Sequence, residues 1–178
     1  NVINITDIDD KIIERVSNEG VGFKELTQKY ESIFLEQSEV INILPSTFNP
    51  RASEHVSEMI DFIILLLDKG AAYNVDGNIF FNTKAYSNYG KFVDIDDDNL
   101  SREDNELGKK HPNDFALWKA WKESDGEVTW PSDWGNGRPA WHTECAVLGT
   151  KLLADSIDIH CGGIDLKFPH HENESAQV

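Results

Sequence analysis

Between Ser53 and Gly70 the apolar residues Val56, Ile60, Ile63, Ile64 and Leu67 recur at three- and four-residue steps and stop at a glycine. That spacing predicts an amphipathic helix, and one apolar face needs a core to bury it. Gly70 stands where a helix ends in a left-handed residue. Pro45 and Pro50 break the chain ahead of it into a loop. With 178 residues, 39% hydrophobic and 10% aromatic, the chain has enough apolar surface for one domain or one and a half. Its longest apolar cluster, Phe62 to Leu67, is far short of the roughly 18 residues that a membrane-spanning helix needs, and a soluble protein is expected.

The remaining elements follow from local pattern. Asn1 to Thr6 alternates and is β-branched, as the end of a strand does, and Asp7 is the expected N-cap of a helix carrying Ile8, Ile12, Ile13 and Val16, stopped by Gly20. A second helix runs through Phe23, Leu26, Tyr30, Ile33 and Phe34. Tyr73 to Phe81 reads as a hairpin turning at Asp76-Gly77 or Gly77-Asn78. Asn82 to Pro112 is polar and irregular, Phe115 to Trp121 suits a strand, and Trp130 to Pro139 is a loop. Trp141 to Leu153 suits a helix, Ser156 to His160 a short strand, Cys161 to Pro169 a tight loop, and His170 begins another helix. Helices between strands at both ends suggest an α/β parallel sheet with the middle as an insertion.

A formal charge of −16 argues against a broad nucleic-acid footprint on this segment, because phosphate contacts need clustered Lys and Arg. The densest acidic run, Asp94 to Asp98, lacks the spacing and glycine of a calcium loop and reads as solvated. Cys145 and Cys161 are the two cysteines. One possible bridge is weak evidence for secretion, so a reducing cytoplasm is expected. The first residue is Asn1 and the last, Val178, falls within an expected helix, so both ends read as cut.

Chemistry concentrates between Trp130 and Glu174. His170 and Glu174 are four apart and share a helix face, while His171 points about a quarter-turn away. With the thiol of Cys145 they offer S, N and O donors that zinc accepts, and a fourth ligand would have to come from outside this chain. From spacing alone, the same residues read more often as a buried thiol plus a surface ion pair. His160, Cys161, Gly162, Gly163 and Asp165 form a second group just after the expected strand. Paired glycines let a ligand approach backbone, and a carboxylate beyond a strand end is placed to hold a ribose hydroxyl or an amine. A loop glycine pair and a capping Asp are the competing reading.

Five strings carry a resemblance: Asn-Ile-Thr-Asp-Ile-Asp-Asp-Lys-Ile at 4 to 12, Trp-Pro-Ser at 130 to 132, Gly-Arg-Pro at 137 to 139, Trp-His-Thr-Glu-Cys at 141 to 145, and Asp-Ile-His-Cys-Gly-Gly-Ile-Asp-Leu-Lys-Phe-Pro-His-His-Glu-Asn-Glu at 158 to 174. In order and content they resemble the class I cysteinyl-tRNA synthetase family. The likeness extends weakly through the middle, around residues 50 to 55 and from 113. It implies a Rossmann-like parallel-sheet catalytic domain in residues 1–44 and 129–178, split by an α+β connective insertion at 45–128. It further implies zinc ligands at Cys145, His170 and Glu174, with the family's upstream cysteine as the fourth. Thr6 and Trp141 match residues lining a cysteine pocket that His160 borders, and Gly163 with Asp165 matches an adenylate contact. Cys161 replaces the first of three family glycines, Asp133 a second proline and Ala140 a glycine, and Leu100 to Pro112 is shorter than the family leads one to expect.

What the resemblance implies is an ATP-dependent, Mg2+-assisted ligase joining L-cysteine to tRNA(Cys), monomeric and cytoplasmic, with one Zn2+ per chain gripping the substrate sulfur. The family's His-Ile-Gly-His and Lys-Met-Ser-Lys-Ser motifs are absent from these residues, so the fragment alone is expected to be inactive. His142 and Glu144 read as polar contacts at a helix start rather than acid–base groups. The alternatives are a ligase joining cysteine to a sugar amine, disfavoured by Glu172, Asn173 and Glu174, and a non-catalytic zinc- or tRNA-binding paralogue.

Overall fold

The computed structural model describes residues 1–93 and 107–178. The acidic run at 94–98 and the front of the short stretch from Leu100 lie outside them. Among the described residues the chain forms helices α1 (Asp10–Glu19), α2 (Phe23–Val40) and α3 (Val56–Asp68), strands β1 (Ala72–Val75), β2 (Asn78–Phe81), β3 (Phe115–Ala120) and β4 (Gly137–Pro139), then helices α4 (Trp141–Leu152) and α5 (Glu172–Gln177). No helix among them is long and apolar enough to cross a membrane.

The four strands make one mixed-length antiparallel sheet in the order β1-β2-β3-β4. Sequence pattern pointed to a parallel sheet. Among the described residues, parallel pairing is confined to single bridges, Val2 with Phe48 and Ile5 with Arg51. The antiparallel order follows from the connections. Asp76 (φ 50°) and Gly77 (φ 85°) both take positive φ, as a two-residue hairpin turn requires, and so β1 folds directly back on β2. Parallel neighbours would each need a long crossover instead.

Helix α3 forms as its periodicity dictates. Val56, Met59, Ile63 and Leu66 turn inward, and Met59 and Ile63 are wholly buried, each contributing about 1.5–3 kcal/mol of transfer free energy. They share a core with Ile8 and Ile13 of the N-terminal region, Phe81, Phe115, Leu117 and Trp118 of the sheet, and Val147 and Leu148 of α4. Gly70 ends the helix region with φ 71°. Gly137 answers a different demand: a Cβ there would stand 2.3 Å from both the Lys119 carbonyl and the Trp118 indole nitrogen, so only glycine lets β4 pass this close to β3.

Several sequence expectations are corrected: the loop expected at Trp130 to Pro139 closes in strand β4, and Asn1 to Thr6 makes isolated bridges in place of a strand. The N-cap of α1 is Asp9, whose side chain accepts from the Lys11 N–H at 2.9 Å. Asp7 is buried instead and accepts from the Ser53 backbone N–H (2.8 Å) and hydroxyl (2.5 Å), clamping the N-terminal segment to the turn before α3. The strand expected at Ser156 to His160 does not form. No neighbouring strand among the described residues offers it a ladder, and Ile159 is left 78% exposed.

Beyond the sheet, α5 is tied down on two sides. The Glu172 carboxylate accepts backbone N–H bonds from Gly90 (2.9 Å), Lys91 (3.2 Å) and Phe92 (2.8 Å), and the Tyr89 hydroxyl donates to Asn173 Oδ1 at 2.5 Å. Gln177 donates through Nε2 to the His142 carbonyl at 3.2 Å, fastening α5 to α4.

Candidate functional site

Cys145 projects from the middle of α4, whereas His170 comes from the turn Lys167–His171 that leads into α5, and Glu174 from α5 itself. His170 therefore precedes the regular helix, because Phe168 is extended (φ −140°, ψ 134°) and kinks the entry. The i, i+4 relation nevertheless survives the kink: His170 Nε2 lies 2.8 Å from Glu174 Oε1. One donor atom each from Cys145, His170 and Glu174 lies within 4.8 Å of the others. His171, expected to point aside, also reaches Glu174, with Nδ1 3.0 Å from Oε2, and His160 brings Nε2 to the same oxygen at 2.5 Å.

Glu174 thus divides its two oxygens. Oε2 accepts from the imidazoles of His160 and His171, while Oε1 is buried and lacks a well-directed hydrogen bond despite the nearness of His170. Burial alone would raise this carboxyl, but the contacts of His170 and His171 and the charge of His160 hold its pKa down to about 2. Burial lowers the pKa of His170 and favours its neutral form. Its other ring nitrogen, Nδ1, meets His142 Nδ1 at 2.8 Å, where one ring donates and the other accepts, and Trp141 stacks on it with centroids 4.0 Å apart. Together these contacts fix the ring's plane and turn Nε2 toward Glu174.

Burial and the charge of Glu174 push the Cys145 thiol well above the ordinary range of a cysteine. Asn4 donates through Nδ2 to its sulfur at 3.4 Å. A thiol, an inward-facing imidazole and a carboxylate oxygen without a directed partner are the S, N and O donors that zinc accepts once the thiol gives up its proton. Tetrahedral zinc holds its donors about 3.5 Å apart, at bond lengths of about 2.0–2.3 Å. The donor atoms, none more than 4.8 Å from another and with His170 and Glu174 at 2.8 Å, bracket that spacing.

These groups open on a cavity of about 660 Å³ lined by Asn4, Thr6, Trp141, Cys145, His160, Cys161, His170, His171 and Glu174 among others. Of the residues singled out from sequence, Thr6, Trp141, His160, Cys145, His170 and Glu174 meet there. Gly163 and Asp165 do not line it; both are exposed, with the Asp165 side chain folded back over the Gly163 backbone. Cys145 and Cys161 are both free thiols, the first half-buried and the second exposed. Sequence reasoning missed Asn4 as a partner of the sulfur and gave His142 no place beside His170. The adjacency of His142 to Trp141, already singled out, was the available signal.

A family model described as "tRNA synthetases class I (C) catalytic domain" matches residues 1–178. The chain belongs to this family of class I tRNA synthetase catalytic domains. It is 48% identical over 183 residues to the cysteine–tRNA ligase of Lactobacillus gasseri, an alignment that covers 99% of this chain and 39% of that protein. To the cysteine–tRNA ligase of Finegoldia magna it is 49% identical over 180 residues, again covering 99% and 39%. The chain accordingly spans about two-fifths of the length of these relatives.

Proposed function

We propose that this chain is the amino-acid-selecting part of a cysteine–tRNA ligase, in which L-cysteine is activated with ATP and Mg2+ and passed to tRNA(Cys). The observation that carries the reading is the convergence of Cys145, His170 and Glu174 at the wall of a cavity that Thr6, Trp141 and His160 also line. In the first step the carboxylate of cysteine attacks the α-phosphate of ATP and pyrophosphate leaves. In the second, a terminal ribose hydroxyl of the tRNA takes the cysteinyl group and AMP leaves. Such chemistry depends on positioning and charge stabilisation more than on a protein nucleophile.

Cys145, His170 and Glu174 would hold a zinc ion together with one cysteine from the longer protein. Bound there, zinc supplies a Lewis acid that favours a thiolate over the harder, far less acidic hydroxyl of serine. A pocket that distinguished the two by size would reach only about 10- to 200-fold. The chain's own residues do the rest: His142 and Trp141 orient His170, Asn4 contacts the Cys145 sulfur, and Thr6 and His160 border the space for substrate. Gly163 and Asp165 would contact the adenylate from outside the cavity wall. The same reading assigns 1–44 and 129–178 to a Rossmann-like parallel-sheet domain and 45–128 to its connective insertion, with β4 (Gly137–Pro139) pairing antiparallel to β3 across that boundary.

In the longer ligase, Glu174→Ala is expected to abolish cysteine-dependent ATP–pyrophosphate exchange and to lower zinc content. Normal zinc content with undiminished rejection of serine would contradict the reading. A second expectation concerns protons. Because the folded Cys145 thiol titrates above its ordinary value, it is protonated at pH 7, whereas His170, with its pKa lowered, is already neutral. Zinc uptake should therefore release a proton from Cys145, and affinity should rise about tenfold per pH unit between pH 6 and 8 for each proton released. Calorimetry in buffers of different ionisation enthalpy measures this directly, and uptake without proton release would remove Cys145 from the ligand set.

A further inference from the structure

Three consecutive backbone N–H groups, those of Gly90, Lys91 and Phe92, converge on the single carboxylate of Glu172, which is wholly buried. Successive amides curled in this way form a concavity that binds anions. Gly90 makes the curl possible with φ 96°, a conformation that side-chain-bearing residues rarely adopt. The anion here is the chain's own, and it stands two residues before Glu174. Residues two apart on an α-helix point about 200° from each other, so the concavity grips α5 on the face opposite the one that meets Cys145 and His170. Asn173, held by the Tyr89 hydroxyl, braces the same stretch.

We propose that Glu172, seated in the backbone concavity of residues 90–92, is a positioning residue that sets the rotation of α5 and thereby the direction in which Glu174 presents its carboxylate. This rests on reading Cys145, His170 and Glu174 as a metal site. α5 is only six residues long and the turn before it is kinked at Phe168, so the hold that α4 has on its far end through Gln177 leaves the rotation at Glu174 to contacts near that residue. Six residues of helix have little stiffness of their own, so a clasp on the rear face governs what the front face does.

The test uses Co2+ as the probe in the longer ligase, since its thiolate charge-transfer and d–d absorption report both affinity and ligand geometry. Four proteins are compared: wild type, Glu172→Gln, Gly90→Ala and the double variant. Glu172→Gln weakens the grip from the helix side, and Gly90→Ala distorts the concavity from a residue outside the donor set. Each single variant is expected to weaken Co2+ binding about tenfold, the lower end for loss of a ligand-orienting contact, and to shift the d–d bands. The double variant should be no weaker than the worse single one, because both changes break one contact. Wild-type affinity and bands in either variant, or additive losses, would overturn the proposal. If Glu172→Gln loses its fold by circular dichroism, Gly90→Ala decides alone by the same two readouts. A wild-type protein with no cobalt–thiolate band would sink the metal reading itself, an outcome distinguishable because it needs no variant.

Discussion

In the longer ligase, on the proposed reading, Cys145→Ala is expected to weaken zinc binding and, with it, cysteine-dependent pyrophosphate exchange, while leaving the fold intact. Structural zinc sites have apparent binding free energies of about 10–16 kcal/mol. Shared among four donors, that makes one donor worth roughly 2.5–4 kcal/mol, a factor of about 10²–10³ in affinity. The side chain lost is small and lies at the cavity wall, half-buried rather than within the main core. Little destabilisation should accompany the change. Metal content after dialysis against a chelator, read beside a thermal melt, separates the two effects, and full zinc occupancy in the variant would refute the assignment of Cys145.

Phe115→Ala should produce a large loss of stability. Phe115 is 1% exposed at the head of β3. It stacks on Phe81 (centroids 5.0 Å apart) and Tyr89 (6.4 Å), and meets the edge of His142 at 5.7 Å. Removing a buried ring of this kind costs about 3–5 kcal/mol through lost transfer free energy and the cavity left behind. In a chain of this size that lowers the melting temperature by roughly 6–20 °C. Because the ring supports His142, which in turn contacts His170, metal affinity should fall too. A melting temperature within 2 °C of wild type would show that the aromatic stack contributes little.

What the sequence disclosed is what local pattern encodes. Helix α3 and the hairpin at Asp76-Gly77 were legible because three- and four-residue apolar steps and a turn dipeptide carry their own conformational preference. The six residues that meet at the cavity were legible through long strings shared with a family. Spacing alone left their meaning open. The rest depended on partners far away in the chain. Asp7 and Asp9 are both good caps, and it was Ser53, 46 residues from Asp7, that drew Asp7 inward and left the helix to Asp9. A strand at Ser156 to His160 required a neighbour to pair with, and residue pattern cannot say where that neighbour lies. Likewise, the demand for glycine at 137 arises from the Trp118 indole, and the role of Glu172 from a backbone curl some eighty residues earlier.

Glu174 bonds a half-exposed imidazole with one oxygen and faces Cys145 and His170 with the other. Its carboxylate is rigid and planar, so moving one end swings the other. A shift of His160 or His171 at one oxygen of this carboxylate therefore bears on the oxygen that meets His170, because one rigid plane carries both.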